Sequence, residues 1–413
     1  MKVTNGWTRG QYSLVRVVFG LYLVQHFLAL LPWGKELFSS AGVLPRASLS
    51  PLAHLFPNVL ALADSPLFVE ACLVAAATFS VFFTIGKFDR LAALLIWYFW
   101  ACFYGRNPLI GNPSMPFIGW LLLAHLLIPS TSTRTSSKAP TESTIGWQMP
   151  KDIYLAAWIL MSLAYTYSGY TKLVSPSWVD GSALSRVLDN PLARDTFLRV
   201  FLLSLPAWVL KAATWSGLAL ELSFAPLALL RRLRPWLWLA MVGMHLGLMG
   251  LVNFTDLTAG MLILHLFTFD PAWLPGPRHA GRPIFYDGHC GLCHGFVEFV
   301  LREDQSTNPF SFAPLQGDFV RRTVPDDVRA GLPDSVVVLD EKDRILTRST
   351  AVIFVMRRLG GLWLLAAFLL SVIPRPLRDL GYDAIASVRK KVFGTTDELC
   401  PLIPPPWRER FKD

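Results

Sequence analysis

Long apolar runs separated by short polar or proline-bearing stretches fill the first two thirds of the chain, and the pattern changes near residue 275. A bilayer core takes about 20 mostly apolar residues per helix. Runs of that kind fall at roughly 10–31, 66–86, 89–105, 115–129, 152–170, 195–212, 213–231, 235–252 and 254–270, which predicts eight or nine spans. Segment 115–129 is short and segment 195–212 carries Arg199, Pro206 and Lys211, so these two are the candidates for a re-entrant or interfacial position. The Ser/Thr-rich stretch Pro129–Thr144 reads as a solvated loop dividing the helices into two groups.

Beyond Arg278 the runs shorten. "RPIFYDG" alternates like a strand and closes on Gly288, and "HGFVEFVLRED" repeats its apolar positions at helical spacing. "FSFAPLQ" predicts a second strand, "DSVVVLD" and "RILTRST" a hairpin around Glu341-Lys342-Asp343, and "STAVIFVMRRLGG" a helix. The apolar run Gly360–Pro374 is too short to span and reads as a packing or membrane-surface helix. The expected fold is therefore mostly α: a polytopic membrane helix bundle over residues 1–275, followed by a small thioredoxin-like α/β domain over residues 280–413.

Composition supports that division. A chain of 413 residues that is 53% hydrophobic, with 15 Trp, is too apolar for an ordinary soluble enzyme, so the lipid bilayer is its first expected partner. The net charge of +9 does not point to nucleic acid, because Arg and Lys punctuate the ends of apolar segments as orientation signals do. The first apolar run contains Arg16 and lacks a small-residue cleavage site, so it reads as a spanning helix rather than a signal peptide. The basic block Arg231–Pro235 predicts a cytoplasmic loop. That places the C-terminal domain in the cytoplasm of an integral, multi-pass protein, expected in a bacterial inner membrane.

Ionisable residues that a lipid-facing surface would not tolerate lie inside the apolar runs: Arg16, His26, Glu70, His125, Glu221, His245 and His265. A charge at mid-membrane costs about 2.5–3.5 kcal/mol on insertion scales, so such groups face the bundle interior and find partners. They either pair with one another as structural glue or line a polar cavity. "GRNPLIGNPSMP" supplies helix-breaking residues near a membrane face.

"YTYSGYTKLVSPSWVDGSAL", Tyr165–Leu184, loses its helical pattern at Ser168-Gly169, sets Lys172 among aromatic residues and turns through Ser175-Pro176 toward Asp180-Gly181. Together with "RVVFGLYLV" and "RNPLIGN", over about residues 10–270, it resembles the horizontally transferred transmembrane (HTTM) domain of vitamin K-dependent gamma-carboxylases and their bacterial relatives. The resemblance implies that Lys172 is a membrane-embedded base, which desolvation of the ammonium would favour; the alternative is a lysine snorkelling from a helix end. Arg16, Asn107, His125, Glu221 and His245 are then the candidate ligand-binding residues. No segment after residue 270 looks like the luminal domain of the carboxylases, so what carries over is a quinone (vitamin K-like) or other lipidic ligand.

The five cysteines do not form a disulfide framework: Cys72 and Cys102 lie in apolar runs, Cys290 and Cys293 form a C-x-x-C, and Cys400 stands near the C-terminus. The pair has four readings. It is a redox dithiol, a C-x-x-C-H haem anchor ending at His294, a zinc site with His289 and His294, or two structural cysteines. Strand, C-x-x-C and amphipathic helix in that order favour the dithiol. Cys290 at the start of the helix meets unpaired N–H groups that stabilise thiolate, which makes it the expected nucleophile; Cys293, a turn further in and less exposed, is the expected resolving thiol. Adjacent His-Cys pairs do not converge on one tetrahedral centre, and no metal site is expected.

Asp287-x-x-Cys290-x-x-Cys293, then "FAPLQ", "DSVVVLD", "RST", "RRLGG", "IPRPLRDLGYDAIASVRKKVFG" and Cys400-Pro401, resembles the DCC thiol-disulfide oxidoreductase family from about residue 283 to 403. The resemblance implies that Asp287 holds the strand end or accepts a proton during exchange; a turn-forming Asp is the alternative. The proline that thioredoxins place immediately before the third strand is displaced here to Pro333. The combined reading is a membrane-anchored oxidoreductase whose dithiol exchanges electrons with an unknown thiol or disulfide protein or with a quinone-like ligand in the bundle. Its rivals are a lipidic-ligand or peptide binding or transport module with a redox-sensing dithiol, and a quinone-dependent protein-modifying enzyme.

Overall fold

A computed structural model of the chain describes residues 6–53, 55–129, 147–276, 281–326, 329, 331–332, 335–394 and 405–412. Pro333, Cys400 and most of the loop Pro129–Thr144 lie outside the described residues. Among the described residues 69% are helical, which bears out the mostly-α expectation, and a mixed four-stranded sheet is present. It divides into two compact units: Leu14–Ser132 with Met149–Phe269, and Met1–Ser13 with Thr133–Gln148 and Asp270–Asp413. The first residues thus group with the C-terminal unit, where the sequence reading had assigned them to the bundle.

The apolar unit contains α1 (Arg9–Leu30, whose first turn belongs to the other unit), α2 (Pro66–Ile85), α3 (Asp89–Arg106), α4 (Met115–Leu127), α5 (Lys151–Lys172), α6 (Ala207–Ala228), α7 (Arg234–Leu251) and α8 (Thr255–Thr268). Local signals delimit α2 clearly. Ser65 accepts from the Phe68 N–H, Pro66 starts the helix, and Gly86 ends it in the left-handed region at φ 74°.

Among the described residues, two helical stretches, Arg9–Phe38 and Pro66–Ile85, are long and apolar enough to cross a membrane. Two sharply bent pairs, Phe197–Leu203 with Ala207–Ala228 and Gly361–Val372 with Arg375–Val392, raise the number to four if each is one span. That is below the eight or nine expected. Helices α4 and α8 have 13 and 14 residues, and α3 opens on Asp89-Arg90 and closes on Arg106, so several runs expected to span fold as helices that are too short or too charged at their ends. The expected segments 195–212 and 213–231 are instead a short helix and the continuous α6, bent by 114° at Pro206.

Gly169 does not break its helix, because α5 continues to Lys172. A Cβ there would lie 2.7 Å from the backbone nitrogen of Leu222 in α6, so the glycine serves close helix packing rather than termination.

In the other unit the order is β1 (Pro283–Tyr286), α9 (Gly291–Glu303), β2 (Ser311–Pro314), β3 (Val337–Leu339), β4 (Ile345–Thr347), α10 (Arg348–Leu359), α11 (Gly361–Val372) and α12 (Arg375–Phe393). Strand order is β2-β1-β3-β4, with β1 and β2 parallel and the other pairs antiparallel. Every strand predicted for this domain is present, and together they form one small mixed sheet. Pro283 is tolerated in a central strand because it is the first residue.

Side chains alternate across the sheet. Ile284 and Tyr286 pack with Val297 and Val300 of α9 and Val355 of α10, whereas Phe285 points to a second cluster with Val320 and Val324. The C-terminal segment covers the β2 edge: Trp407 joins the first cluster, and the Lys412 N–H donates to the Phe312 carbonyl.

Candidate active site

The polypeptide leaves β1 at Tyr286 and reaches Cys290 at the N-cap of α9, with Cys293 one turn inside the helix. The Cys290 N–H donates to the Asp287 carbonyl at 3.3 Å, and the His294 N–H closes the first turn on the Cys290 carbonyl at 3.0 Å. Both thiols are free. Both are also buried, Cys290 completely, which corrects the expectation that Cys290 is the more exposed of the two. The reason is packing: Cys290 belongs to the same apolar cluster as Tyr286, Val297 and Trp407. Burial, with the neighbouring Cys290 adding to it, pushes the Cys293 thiol up to about 12. At neutral pH Cys293 is therefore protonated and unsuited to attack first.

Beneath the pair lies Asp287, itself 3% exposed. Its Oδ1 accepts from the His289 N–H at 3.0 Å and from Gln316 Nε2 at 3.2 Å; its Oδ2 faces Arg389 Nη2 at 3.3 Å and Lys390 Nζ at 3.4 Å. Burial alone would raise its pKa, but the His289 amide, Lys390 and Gln316 outweigh it and hold the carboxyl below the usual range. Gln316 also accepts from the Gly288 N–H through Oε1 at 3.2 Å, so the turn before Cys290 is fastened from β2 as well as from α12. The carbonyl of Gly394, just past α12, takes the Gly291 N–H at 3.2 Å. Asp287 is thus more than a turn-former: it ties the cysteine loop to the C-terminal helix. Arg389, Lys390 and Gln316 were not singled out from the sequence.

The histidines beside the cysteines do not converge. His294 Nε2 meets the Gly288 carbonyl at 2.8 Å, and burial lowers its pKa; His289 is exposed. Among the described residues no group of three His, Cys, Asp or Glu side chains is gathered to hold a metal.

Residues 284–395 match the DCC1-like thiol-disulfide oxidoreductase family. The chain is 37% identical over 134 residues to the uncharacterized protein YuxK of Bacillus subtilis, a match covering 32% of this chain and 93% of YuxK. The chain belongs to the DCC family. A chloroplastic DCC family protein of Arabidopsis thaliana is 35% identical over 122 residues, which cover 29% of this chain and 70% of that protein. No solved structure matches. The DCC domain's motif residues, Asp287, Cys290 and Cys293, are the ones the structure brings together.

The residues expected to bind a ligand in the apolar unit fall into separate groups. Arg16 and His125 each lie 3.5 Å from Asp89, all three buried. Asn107 is a structural cap: its Nδ2 donates to the Leu37 carbonyl and its Oδ1 accepts from Leu109. Lys172 pairs with both carboxylate oxygens of Glu221, donates to Ser168 Oγ at 3.1 Å and stands 4.7 Å over the Trp178 ring. His245 shares the Tyr165 hydroxyl with His265, at 2.7 Å from each ring nitrogen.

Of the other ionisable residues, His26 lies 2.7 Å from Asp256, which also takes Tyr22 and Asn112, while Glu70 is exposed. Asp89 and Asp256 were missed because each begins a helix after turn-like residues and reads as a loop carboxylate. Their signal was complementarity: buried cations in apolar helices require anions nearby.

Proposed function

We propose that the protein is a membrane-anchored thiol-disulfide oxidoreductase working through Cys290 and Cys293, with its DCC domain on the cytoplasmic face. The observation that carries this reading is the cysteine pair at the N-terminus of α9, with a buried carboxylate fastening its loop, in a domain of the DCC family. The chemistry balances as follows. Cys290 Sγ, as thiolate, attacks one sulfur of a partner disulfide, forming a mixed disulfide and expelling the other sulfur as thiolate. Cys293 then gives its proton to the expelled thiolate and attacks Cys290 Sγ, releasing the second partner sulfur, which takes the proton Cys290 had lost. Two cysteine thiols are oxidised to one disulfide and the partner disulfide is reduced to two thiols; run backwards, the same steps oxidise a partner. The high pKa of Cys293 fits the second position.

The full-length Cys293→Ser variant should accumulate a mixed disulfide that reductant releases, whereas Cys290→Ser should accumulate none. Equal trapping by both variants, or by neither while the pair retains zinc stoichiometrically, overturns the assignment.

For the apolar unit, an HTTM-like site for a quinone-like ligand is the companion proposal. The half-buried Lys172 paired with the buried Glu221, and the buried Tyr165, His245 and His265 network, support it, since they gather polar and charged groups among apolar helices. Mass spectrometry of lipids retained by the purified protein tests it: a quinone lost in the Lys172→Ala variant supports it, and its absence from the intact protein rejects it.

A further inference from the structure

Helix α12 is amphipathic in the inverted sense. Leu377, Leu380, Ile385, Val388 and Val392 recur at three-, four- and five-residue steps along one stripe, and each is between 47% and 68% exposed. The opposite face, turned toward the domain, holds polar groups instead. Asp379 binds the Ser349 hydroxyl, the Tyr382 hydroxyl accepts from the Val336 N–H at 3.0 Å, and Arg389 meets Asp287. A helix in a water-surrounded domain buries its apolar stripe and exposes its charges. This one does the reverse.

The preceding helix continues the pattern. Gly360 and Gly361, with φ of 72° and 54°, turn the chain sharply out of α10, and α11 carries no charged residue. Its Leu365, Phe368 and Leu369 are 45–63% exposed. The two helices meet at 111° across Pro374. They do not form one broken span, because α12 carries five basic and two acidic side chains and its inner face is committed to the sheet domain.

We infer that the exposed face of α11 and α12 lies in the interfacial layer of an anionic lipid bilayer. Two observations select lipid over another protein. Positive charge meets the stripe at its C-terminal end, where Lys391 is exposed between Val388 and Val392; Arg375 and Lys390, with side chains 65% and 49% exposed, pair on the inner side with Asp379 and Asp287. Apolar stripe and basic border together are the composition of interfacial helices, which sink about 5–10 Å into the headgroup boundary.

The second observation is the tether. The same compact unit includes the first turn of α1, where Glu303 accepts from the Thr8 hydroxyl and, at 2.7 Å, from the Gly10 N–H. That helix opens the 30-residue apolar stretch long enough to cross a bilayer. A domain that grips the entrance of such a helix is held at a bilayer surface, and an apolar face on it meets lipid before it meets anything dilute. The consequence for the proposed chemistry is that α12, whose C-terminal end holds Asp287 and Gly291, is also the element in contact with the membrane.

The test uses the full chain with its five cysteines changed to Ser, reconstituted one copy per nanodisc. An environment-sensitive NBD probe is placed at Ile385→Cys or Val388→Cys, on the stripe, and at Asp383→Cys, on the far side of α12. In phosphatidylglycerol discs the two stripe probes should shift to the blue and be quenched by lipid-borne nitroxide, and the Asp383 probe should remain open to aqueous iodide. Pure phosphatidylcholine should weaken the lipid quenching of the stripe probes at least about threefold, because border charges near anionic lipid act within a Debye length. Iodide-accessible, nitroxide-blind probes at both stripe positions overturn the inference. So does protection that arises only in discs holding two copies, which would make a second chain the occupant.

Discussion

The Asp287–Arg389 pair allows a quantitative test of the idea that α12 keeps the dithiol closed. Both side chains are 4% exposed, so Asp287→Ala leaves a guanidinium buried without its carboxylate. Breaking a buried pair from one side costs about 3–5 kcal/mol. The second cation adds little, because Lys390 is 49% exposed and such pairs contribute about 0–1 kcal/mol. Taking about 3 kcal/mol as the working figure, and tenfold per 1.4 kcal/mol, the population in which the cysteine loop opens rises by about 10². Cys290 is fully buried, so a thiol reagent meets it mainly through that opening. In a Cys293→Ser background, with Cys72, Cys102 and Cys400 also replaced by Ser, modification of Cys290 should accelerate about a hundredfold on Asp287→Ala. Removing both partners, as Asp287→Ala with Arg389→Leu, should recover a good part of the loss, giving a coupling energy of about 1–3 kcal/mol. The pH dependence has a definite sign. The folded pKa of Asp287 is depressed, so its contribution is complete above the unfolded value of about 3.9 and is lost as pH falls through the folded value. Below about pH 4 the wild-type rate should approach that of the alanine variant. A change of under about threefold on Asp287→Ala, or a cycle with no coupling, refutes the closure by α12.

Glu303 titrates with the opposite sign. Burial raises its pKa against the opposing hydrogen bonds from Thr8, Trp363 and Gly10, so the fold takes up a proton and thermal stability should rise as pH falls from 7 toward the unfolded value of about 4.3, a slope that Glu303→Gln should flatten. Unfolding midpoints against pH for the two proteins check this. Lys172→Ala strands the buried Glu221 carboxylate and should destabilise the apolar unit by about 3–5 kcal/mol, read as a lowered thermal midpoint, whereas Lys172→Arg should keep most of the stability while failing in any turnover that needs Lys172 as a base. A cysteine at the exposed Lys342, in a chain otherwise free of cysteine, should resist a membrane-impermeant maleimide in intact cells and react after lysis; labelling of intact cells reverses the proposed orientation.

What could be read from the sequence follows from which interactions are local. The strands of the DCC domain were legible because alternation and turn residues are short-range, and each predicted strand exists. Span number was not, since an apolar run does not fix whether its helix is long and apolar enough to cross: Asp89 and Asp256, which read as loop carboxylates, begin helices, and each collects cations or donors from elsewhere in the chain. Nothing local marks Glu303, and only the arrival of Thr8 and Gly10 from nearly 300 residues away makes it a cap for α1. Helix α12 misleads in a more instructive way. Its apolar spacing is regular, and regular spacing is ordinarily taken as the buried face; whether a stripe points inward depends on which face the neighbouring elements can satisfy. Here the sheet side offers the Ser349 hydroxyl, the Val336 amide and the Asp287 carboxylate, three polar demands that Leu or Val cannot meet, so the polar face turns inward and the apolar stripe is left outside. Asp287 therefore decides more than the geometry of its own loop. By requiring Arg389 it sets, with Ser349 and Val336, the rotation of α12 about its axis that leaves the stripe outside, so a chain with Ala at position 287 loses the anchor at the C-terminal end of α12 and should loosen that end together with the protection of Cys290.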